Sequence, residues 1–552
     1  MQKIVLRLLK SLAIAICLFL IVENYFLEIK SSATVPIVIT ISLILVLNKL
    51  TKKTFSFQPL RPSFIPFLLI PFFFTVLLRA SFYWAINTFP VKDTNTVLLT
   101  LQEPFDDFAY SMVKQYLSTT IPQALVISIV LTAFAFLFLN STKKRFAFVS
   151  IYFAATIALF MYEVPILNYI HILTDKPEKS TGYSKFFADN YINPDSIKIT
   201  PPPSGQKRNL ILIYLESLET TFADREHGGN QDINLIPEIT EIAQQNINFG
   251  KEKKRIGGGL DAIGSNFTSG ATRTRSLGIP AITNTTKAPI LHHYKSIYKI
   301  LNEYGYKQIF FQGNPGLYKE FRDFALKQKI NEVYGPSDLI QHLNLDTADL
   351  IRKQGFKTVQ DKEAFKFANQ VLDTISEPFS LTFFTIDTHS PDGFYDPDCI
   401  KITDESNKDE RLKAAARCVS RELKKFLDSL KTKHFYENTS IVIFGDHLFM
   451  GTRLVKDFND RKWVNIFINP AKVPIAEEKR LFSDIDMFPT ILSSLNFTIE
   501  GNRLGLGTDL FSDKKTLVER IGLDSLNKEI KKLPSHLIYE SYLLKKSINI
   551  FQ

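Results

Sequence analysis

Nearly all of the long apolar segments lie in the first third of the chain. Each of them, counted with its flanking residues, is long enough to cross the ~30 Å hydrocarbon core of a bilayer as a helix. No cleavage site of small residues follows the first segment, so we interpret it as an anchor and not as a signal peptide. The pattern predicts a transmembrane domain at residues 1–166 with five helices, over Val5 to Val22, Ala33 to Leu47, Phe64 to Leu78, Ile121 to Leu139 and Phe146 to Met161.

Basic residues between these segments predict their orientation. Loops on the cytoplasmic side of a membrane carry an excess of Lys and Arg. Such clusters open the first segment, separate the second from the third, and separate the fourth from the fifth. All three clusters fall on one side of a five-span arrangement. We therefore predict that the amino terminus lies inside and that everything after Glu163 lies outside.

The pattern changes after residue 166. A tether and a proline-rich linker occupy 167–207, and short apolar runs then alternate with amphipathic segments. Asn209 to Leu215 is apolar almost throughout, as in a strand covered on both faces, whereas Ile236 to Ile247 has helical spacing. Such alternation predicts one α/β domain with a mostly parallel sheet at 208–512. We assign no role to the tail at 513–552.

The formal net charge of +10 belongs partly to the residues that orient the membrane segments. A nucleic-acid partner would require a basic patch with a recognition motif, and the sequence has neither. A mildly basic face near anionic lipid is the simpler interpretation.

Two of the three cysteines, Cys399 and Cys418, lie in the α/β part, and Cys17 lies in the first apolar segment. The predicted topology places the α/β part outside the cytoplasm, where disulfides persist. We predict a Cys399–Cys418 disulfide, with two free thiols as the alternative.

Polar residues follow two of the predicted buried strands. Glu216 comes directly after the run that ends at Leu215, and Asp446 and His447 follow the run from Ser440 to Phe444. The carboxyl ends of parallel strands meet at one edge of a sheet, so these side chains should converge there. Any one of them alone could be a helix cap or a surface residue. Two carboxylates and an imidazole together predict a zinc or manganese site with one open position.

A stretch rich in Gly, Ser and Thr, GSNFTSGATRTRSLGIP at 264–280, could fill that position. It is typical of a loop that opens into a helix whose amino end favours an anion. Metal coordination would lower the pKa of a threonine hydroxyl enough to make it a nucleophile. Arg273 and Arg275 either bind a phosphate or glycerol group or are simply solvated.

Two other polar pairs lie near predicted strands or helices. Gln312 and Asn314 follow a strand on the same edge and are expected to line the substrate pocket; an ordinary turn is the alternative. His292 and His293 are neighbours, and neighbouring residues on a helix point in different directions. We therefore predict a polar face there and not a metal site.

Four motifs together carry a family resemblance, which spans about residues 208–512. The motifs are NLILIYLESLETTFAD, the 264–280 stretch, FFTIDTHSPDGF and GDHLFM. With them the chain resembles the phosphoglycerol transferases of the alkaline phosphatase/sulfatase superfamily, to which lipoteichoic acid synthase and the phosphoethanolamine transferases are more distantly related. This resemblance implies a sulfatase-like domain, a divalent ion (zinc or manganese, or else magnesium), and a bacterial inner-membrane location with the catalytic domain in the periplasm.

The resemblance also implies a nucleophile. The family has a threonine four residues after a glycine and followed by Gly-Ile-Pro, a register that Gly264, Thr268 and Gly278 keep. Thr268 is therefore the implied nucleophile and fourth metal ligand. Thr272 and Thr274 are the rivals under an alignment to the phosphoethanolamine transferases. The family's Gly-Thr-Gly-Trp-Thr is Gly-Ser-Asn-Phe-Thr here, so the pocket wall differs.

Other roles follow from the same motifs. Glu216, Asp446 and His447 match the family's metal ligands, and His389 matches its phosphate-facing histidine. The implied reaction transfers phosphoglycerol from phosphatidylglycerol, through a phospho-threonine, to an extracytoplasmic glycan or another envelope hydroxyl.

Three alternatives are open: the first has the same chemistry with another donor, the second is a hydrolase, and the third belongs to a different class altogether. A phosphoethanolamine transferase, acting on lipid A or another envelope glycan, would carry extra cysteines in its catalytic domain, and the sequence lacks them. The second alternative is a sulfatase-like phospho- or sulfohydrolase. A sulfatase would carry a formylglycine motif, which the sequence also lacks. A transporter or inactive scaffold is the third, but the predicted spans hold almost no charge and show no paired halves.

Overall fold

The computed structural model describes the chain in several stretches. Packing of the Cα trace divides the chain into two units, residues 1–70 with 131–148 and residues 71–130 with 149–552. Of the first unit only short helical pieces are described, and the second contains the α/β domain. The described residues are 65–88, 107–138, 147–154, 184–203, 205–280, 294–347, 358–390, 393–450, 454–455 and 460–532.

Two long helices, Ile65–Thr88 and Asp107–Phe138, and a helical stretch at 147–154 occupy the amino-terminal part. They overlap the last three predicted spans, whereas the first two spans lie outside the described residues. Among the residues that the structure describes, no helix combines the length and apolarity required to cross a membrane. The five-span arrangement stays a prediction.

A seven-stranded sheet forms the centre of the α/β domain. Its strands are β2 (Asn209–Leu215), β3 (Gly258–Gly259), β4 (Lys307–Phe311), β5 (Glu332–Tyr334), β6 (Phe379–Phe384), β7 (Thr439–Gly445) and β8 (Trp463–Ile468). They lie in the order β3-β8-β7-β2-β6-β4-β5. Strands β5, β4, β6, β2 and β7 run parallel, and β8 and β3 add two antiparallel pairings. Short antiparallel pairs are β1 (Ile199–Thr200) with β9 (Thr498–Ile499), and β10 (Arg503–Leu504) with β11 (Gly507–Thr508).

Helices cover both faces of this sheet. Along β2 the side chains alternate between two cores, with Leu212 and Tyr214 in one and Ile211 and Ile213 in the other. Burial on both faces explains why the strand is apolar throughout, and the predicted α/β domain with a mostly parallel sheet is confirmed. The helices are α1 (Lys185–Asn190), α2 (Pro237–Gln245), α3 (Thr268–Leu277), α4 (Ile297–Glu303), α5 (Pro315–Lys327), α6 (Pro336–Leu343), α7 (Asp361–Leu372), α8 (Lys408–Leu430), α9 (Met487–Ser494), α10 (Leu517–Ile521) and α11 (Leu523–Ile530).

A disulfide ties a loop of this domain to its longest helix. Cys399 lies in the loop that precedes α8, and Cys418 lies on the buried face of α8. The two residues are joined with their Cα atoms 6.0 Å apart and are separated by 19 positions in sequence.

The double variant Cys399→Ser/Cys418→Ser should lower the free energy of unfolding of the α/β domain by ~3 kcal/mol, because it removes a loop closure from the unfolded chain. Urea unfolding followed by circular dichroism measures the change. A reductant should destabilise the parent protein and leave the double variant unaffected. Equal stability of parent and variant under oxidising conditions would contradict the prediction.

Candidate functional site

The parallel register of β2 and β7 brings three predicted metal ligands together. Leu215 pairs with Gly445, so Glu216 and Asp446 leave the sheet side by side. One ligand atom from each of Glu216, Asp446 and His447 lies within 4.8 Å of the others. His447 Nε2 is 3.5 Å from Glu216 Oε1 and 3.7 Å from Asp446 Oδ2. The structure thus assembles two carboxylates and one imidazole at the carboxyl edge of the sheet.

Backbone and side-chain contacts orient each of these groups. His447 Nδ1 donates to the carbonyl oxygen of Leu448 over 2.8 Å, which turns Nε2 toward the carboxylates. Asp446 Oδ1 accepts the backbone N–H groups of Ser217 and His447, both over 2.7 Å. Ser217 also donates its hydroxyl to Glu216 Oε1 over 2.7 Å. Its backbone is held at φ +52°, a left-handed conformation that persists only where surrounding contacts enforce it.

Burial sets the electrostatics of the cluster. Glu216, Asp446 and His447 are at most 2% exposed. Burial first, and then the nearby Asp446 carboxylate, raise the pKa of Glu216 to about 8. Burial alone would lower the pKa of the His447 imidazole, but Asp446 and Glu216 raise it overall. The two buried carboxylates therefore lie close together without enough positive charge nearby to stabilise both of them in the ionised form.

The donor set fits a divalent cation. Asp446 Oδ2 is buried and has no hydrogen-bond partner among the described residues, which is costly for a carboxylate oxygen unless a cation binds it. Carboxylate and imidazole donors together suit zinc or manganese. Three protein ligands leave a position for a reacting group.

Thr268, the implied nucleophile, is the first residue of α3. Residues at this end of a helix lie beside the exposed N–H groups that favour an anion. Gly278 ends the helix in a left-handed conformation at φ +64°, which glycine adopts without strain. The rivals Thr272 and Thr274 lie further along α3, and their hydroxyls donate to the carbonyl oxygens of Thr268 and Gly270. The position of Thr268 at the start of the helix favours it over both rivals as the nucleophile. Its contact with a metal stays a prediction.

The loop before α3 contacts the loop that carries His447. Asp261 Oδ2 accepts the backbone N–H of Leu448 over 3.3 Å. Asp484 then links this loop to α3, because its Oδ2 accepts the N–H of Ala262 and its Oδ1 accepts Nε of Arg275. A continuous set of bonds therefore connects the metal-ligand loop with the helix of the predicted nucleophile.

The predicted substrate-binding role of Arg275 is wrong. The side chain is fully buried, and its guanidinium lies 2.8 Å from Asp484 Oδ1. The same guanidinium lies 4.1 Å from the ring centre of Trp463 and 5.0 Å from that of Phe444. Arg275 lies two turns from the start of α3, on the face that packs against the sheet, so it holds the helix in place.

The other predicted substrate residues occupy different settings. Arg273 is partly exposed and lies 5.9 Å from the ring centre of Phe324. Gln312 and Asn314 are both buried, and Gln312 Nε2 has no hydrogen-bond partner within the part of the chain that the structure describes. His389 Nδ1 donates to the carbonyl oxygen of Ser390 over 2.6 Å. Their roles stay predictions, and His292 and His293 lie outside the described residues.

Sequence reasoning missed the threonines that support Glu216. The N–H of Glu216 donates to Thr385 Oγ1 over 2.8 Å, and the hydroxyl of Thr388 donates to the carbonyl oxygen of Glu216. Both threonines follow β6, which neighbours β2. The signal was present in FFTIDTH, where polar residues interrupt a buried run at the same sheet edge.

Replacing His447 with alanine should raise the dissociation constant for Zn²⁺ and Mn²⁺ by at least ~100-fold, because one of three protein ligands is lost. Competition with a chromophoric chelator measures the constant. His227→Ala is the matched control, since His227 hydrogen-bonds Asp224 away from the cluster. An unchanged constant in His447→Ala, or equal losses in both variants, would contradict the predicted metal site.

Arg275→Met should lower the free energy of unfolding by ~3–5 kcal/mol, because it leaves the Asp484 carboxylate buried and unpaired. Arg273→Met, on the same helix but partly exposed, should cost ~1 kcal/mol or less. Urea unfolding followed by circular dichroism compares the two. If Arg275→Met unfolds like the parent protein, the structural role given to Arg275 is incorrect.

Two solved structures are similar to the chain at low sequence identity. Lipoteichoic acid synthase LtaP from Listeria monocytogenes is 15% identical with a TM-score of 0.45, and the match covers 63% of this chain and 95% of that one. Lipooligosaccharide phosphoethanolamine transferase A (EptA) from Neisseria meningitidis is 12% identical with a TM-score of 0.46, covering 83% and 93%.

Sequence comparison adds a relative and a family. Phosphoglycerol transferase I of Salmonella arizonae is 27% identical over 342 residues, which is 59% of this chain but only 41% of that protein's length. The family model described as Sulfatase matches residues 208–497, which is more than half of the chain and contains Glu216, Thr268, Asp446 and His447. The chain therefore belongs to the sulfatase family.

Proposed function

We propose that this protein is a metal-dependent phosphotransferase that moves a phosphoglycerol group from phosphatidylglycerol to a hydroxyl of an envelope glycan. The observation that carries the proposal is the buried Glu216–Asp446–His447 cluster. Similarity to phosphoglycerol transferase I supports the choice of the transferred group, although the match covers only 41% of that relative.

Four residues hold the divalent ion in this proposal. Glu216, Asp446 and His447 supply three ligand atoms, and the hydroxyl of Thr268 supplies the fourth. The bound ion would stabilise negative charge on the phosphoryl oxygens and lower the pKa of the threonine hydroxyl. The unpartnered Asp446 Oδ2 supports this assignment, since a cation would give it a partner.

Thr268 carries the first half of the reaction. Its Oγ attacks phosphorus and forms a P–O bond as the bond to the diacylglycerol oxygen breaks. The threonine proton passes to solvent, and His389 protonates the departing diacylglycerol. Its Nδ1 already donates to the Ser390 carbonyl oxygen, so proton exchange falls to Nε2. The product is a phosphoglycerol-threonine.

An acceptor hydroxyl completes the reaction. It enters opposite Thr268, gives its proton to His389 and takes the phosphoglycerol group, while the threonine oxygen regains a proton from solvent. The N–H groups at the start of α3 favour the phosphate charge throughout. Arg273, Gln312 and Asn314 are the proposed contacts for the glycerol and phosphate groups.

A membrane location is part of the proposal. The donor and the departing diacylglycerol both reside in a bilayer, and the apolar segments before residue 167 would anchor the enzyme there. Bacterial inner membrane with a periplasmic catalytic domain is the arrangement that the basic clusters favour.

Incubation of the full chain with phosphatidylglycerol and Mn²⁺ or Zn²⁺ should add one phosphoglycerol group, detected by intact mass. Thr268→Val should abolish this adduct and lower diacylglycerol release by ~10³-fold or more, because the nucleophile is gone. Thr272→Val is the matched control and should retain the adduct, since that hydroxyl only bonds the Thr268 carbonyl.

Other outcomes identify the alternatives. An adduct formed only with phosphatidylethanolamine would replace the donor with that lipid and the function with phosphoethanolamine transfer. Release of diacylglycerol to water without any glycan product would indicate a hydrolase. Neither adduct nor diacylglycerol from either lipid would contradict the transferase proposal.

A further inference from the structure

We propose that Glu219 and Arg461 are positioning residues that clamp the two metal-ligand loops together and so set the affinity for the ion. The inference rests on the metal centre of the proposed function, but not on the identity of donor or acceptor. Neither residue belongs to the predicted ligands.

Glu219 lies three residues after Glu216 and is fully buried. Its Oε2 accepts the backbone N–H of Phe449 over 3.1 Å, and Phe449 is two residues beyond His447. Thr221 donates its hydroxyl to Oε1 of the same carboxylate. One carboxylate on the Glu216 loop therefore holds the backbone of the His447 loop.

Arg461 closes the clamp from the other side. Its Nε lies 3.1 Å from Glu219 Oε1 and 3.0 Å from Oε2, and its Nη2 donates to Oε2 as well. The same Nη2 donates to the carbonyl oxygen of Phe449 over 2.6 Å. Both backbone polar groups of Phe449 are thus held by one ion pair, which is 0% exposed at Glu219 and 11% exposed at Arg461.

The backbone beneath the clamp is equally close-packed. A Cβ atom on Gly445, the residue before Asp446, would lie 1.7 Å from the carbonyl oxygen of Leu218. The N–H of Val464 donates to that carbonyl oxygen over 3.2 Å. The chain between Glu216 and Glu219 therefore crosses directly over the chain that leads into Asp446.

This arrangement has a direct consequence for metal binding. The ligand atoms of Glu216, Asp446 and His447 lie within 4.8 Å of one another, and binding one ion requires that they stay there. A buried ion pair on the adjoining residues holds the two ligand loops together before an ion arrives. Such outer groups typically change metal affinity ~10–100-fold when they are mutated.

The test compares Glu219→Gln and Arg461→Lys with the unmodified full-length protein, purified in detergent. Glutamine keeps the shape of Glu219 but presents an amide toward the guanidinium. Lysine keeps the charge of Arg461 but cannot contact both the carboxylate and the Phe449 carbonyl oxygen. Dissociation constants for Zn²⁺ and Mn²⁺ come from chelator competition, and the metal-free unfolding midpoint is measured alongside.

Glu519→Gln is the matched control. Glu519 pairs with Arg480 over 2.8 Å, and both side chains are largely buried. Arg480 also donates to backbone carbonyl oxygens, those of Leu510 and Ser512. This second clamp has the same chemistry as the first but joins other segments.

We expect Glu219→Gln and Arg461→Lys to raise the dissociation constant ~10–100-fold and Glu519→Gln to change it less than ~2-fold. An unchanged constant in either clamp variant, or an equal rise in Glu519→Gln, overturns the proposal. Should one variant fail to fold, the other decides. Absence of metal binding by the unmodified protein would refute the metal centre and with it the clamp, whereas failure of the clamp alone leaves that binding intact.

Discussion

The burial of two carboxylates side by side is the constraint around which this site is built. Glu216 and Asp446 leave adjacent parallel strands in register, and neither can move away without breaking the pairing of β2 with β7. Burial, and then the neighbouring Asp446, raise the pKa of Glu216 to about 8, so protein groups alone favour the protonated form of Glu216. A divalent ion would supply the missing charge, so the chemistry of the site and its stability have the same origin.

Two buried ion pairs hold the elements around the cluster. Glu219 and Arg461 join the loops that carry the metal ligands. Arg275 and Asp484 fasten α3 against Trp463 and the strand ends. Breaking a buried pair leaves an uncompensated charge, which costs several kcal/mol. Such pairs therefore tolerate little displacement and keep neighbouring groups in place.

Much of the fold and part of the site could be predicted from local pattern. Asn209 to Leu215 is a strand with the predicted bounds, and the predicted run from Ser440 to Phe444 lies within β7. Apolar runs of this kind reflect burial on both faces of the sheet, and they can be recognised from the sequence alone. Strand β3, two glycines long, has no such pattern, because its place in the sheet depends on pairing with β8.

The sequence by itself determined which residues end at the reactive edge, because strand direction and residue order suffice to place Glu216, Asp446 and His447 there. Only the tertiary structure decided what the charged residues around them do. Arg273 and Arg275 are alike in sequence, yet helical geometry exposes one and buries the other beside Asp484. Glu219 and Arg461 are 242 positions apart, and no local pattern predicts that they meet, since their contact arises from the folding of two distant loops onto one strand edge.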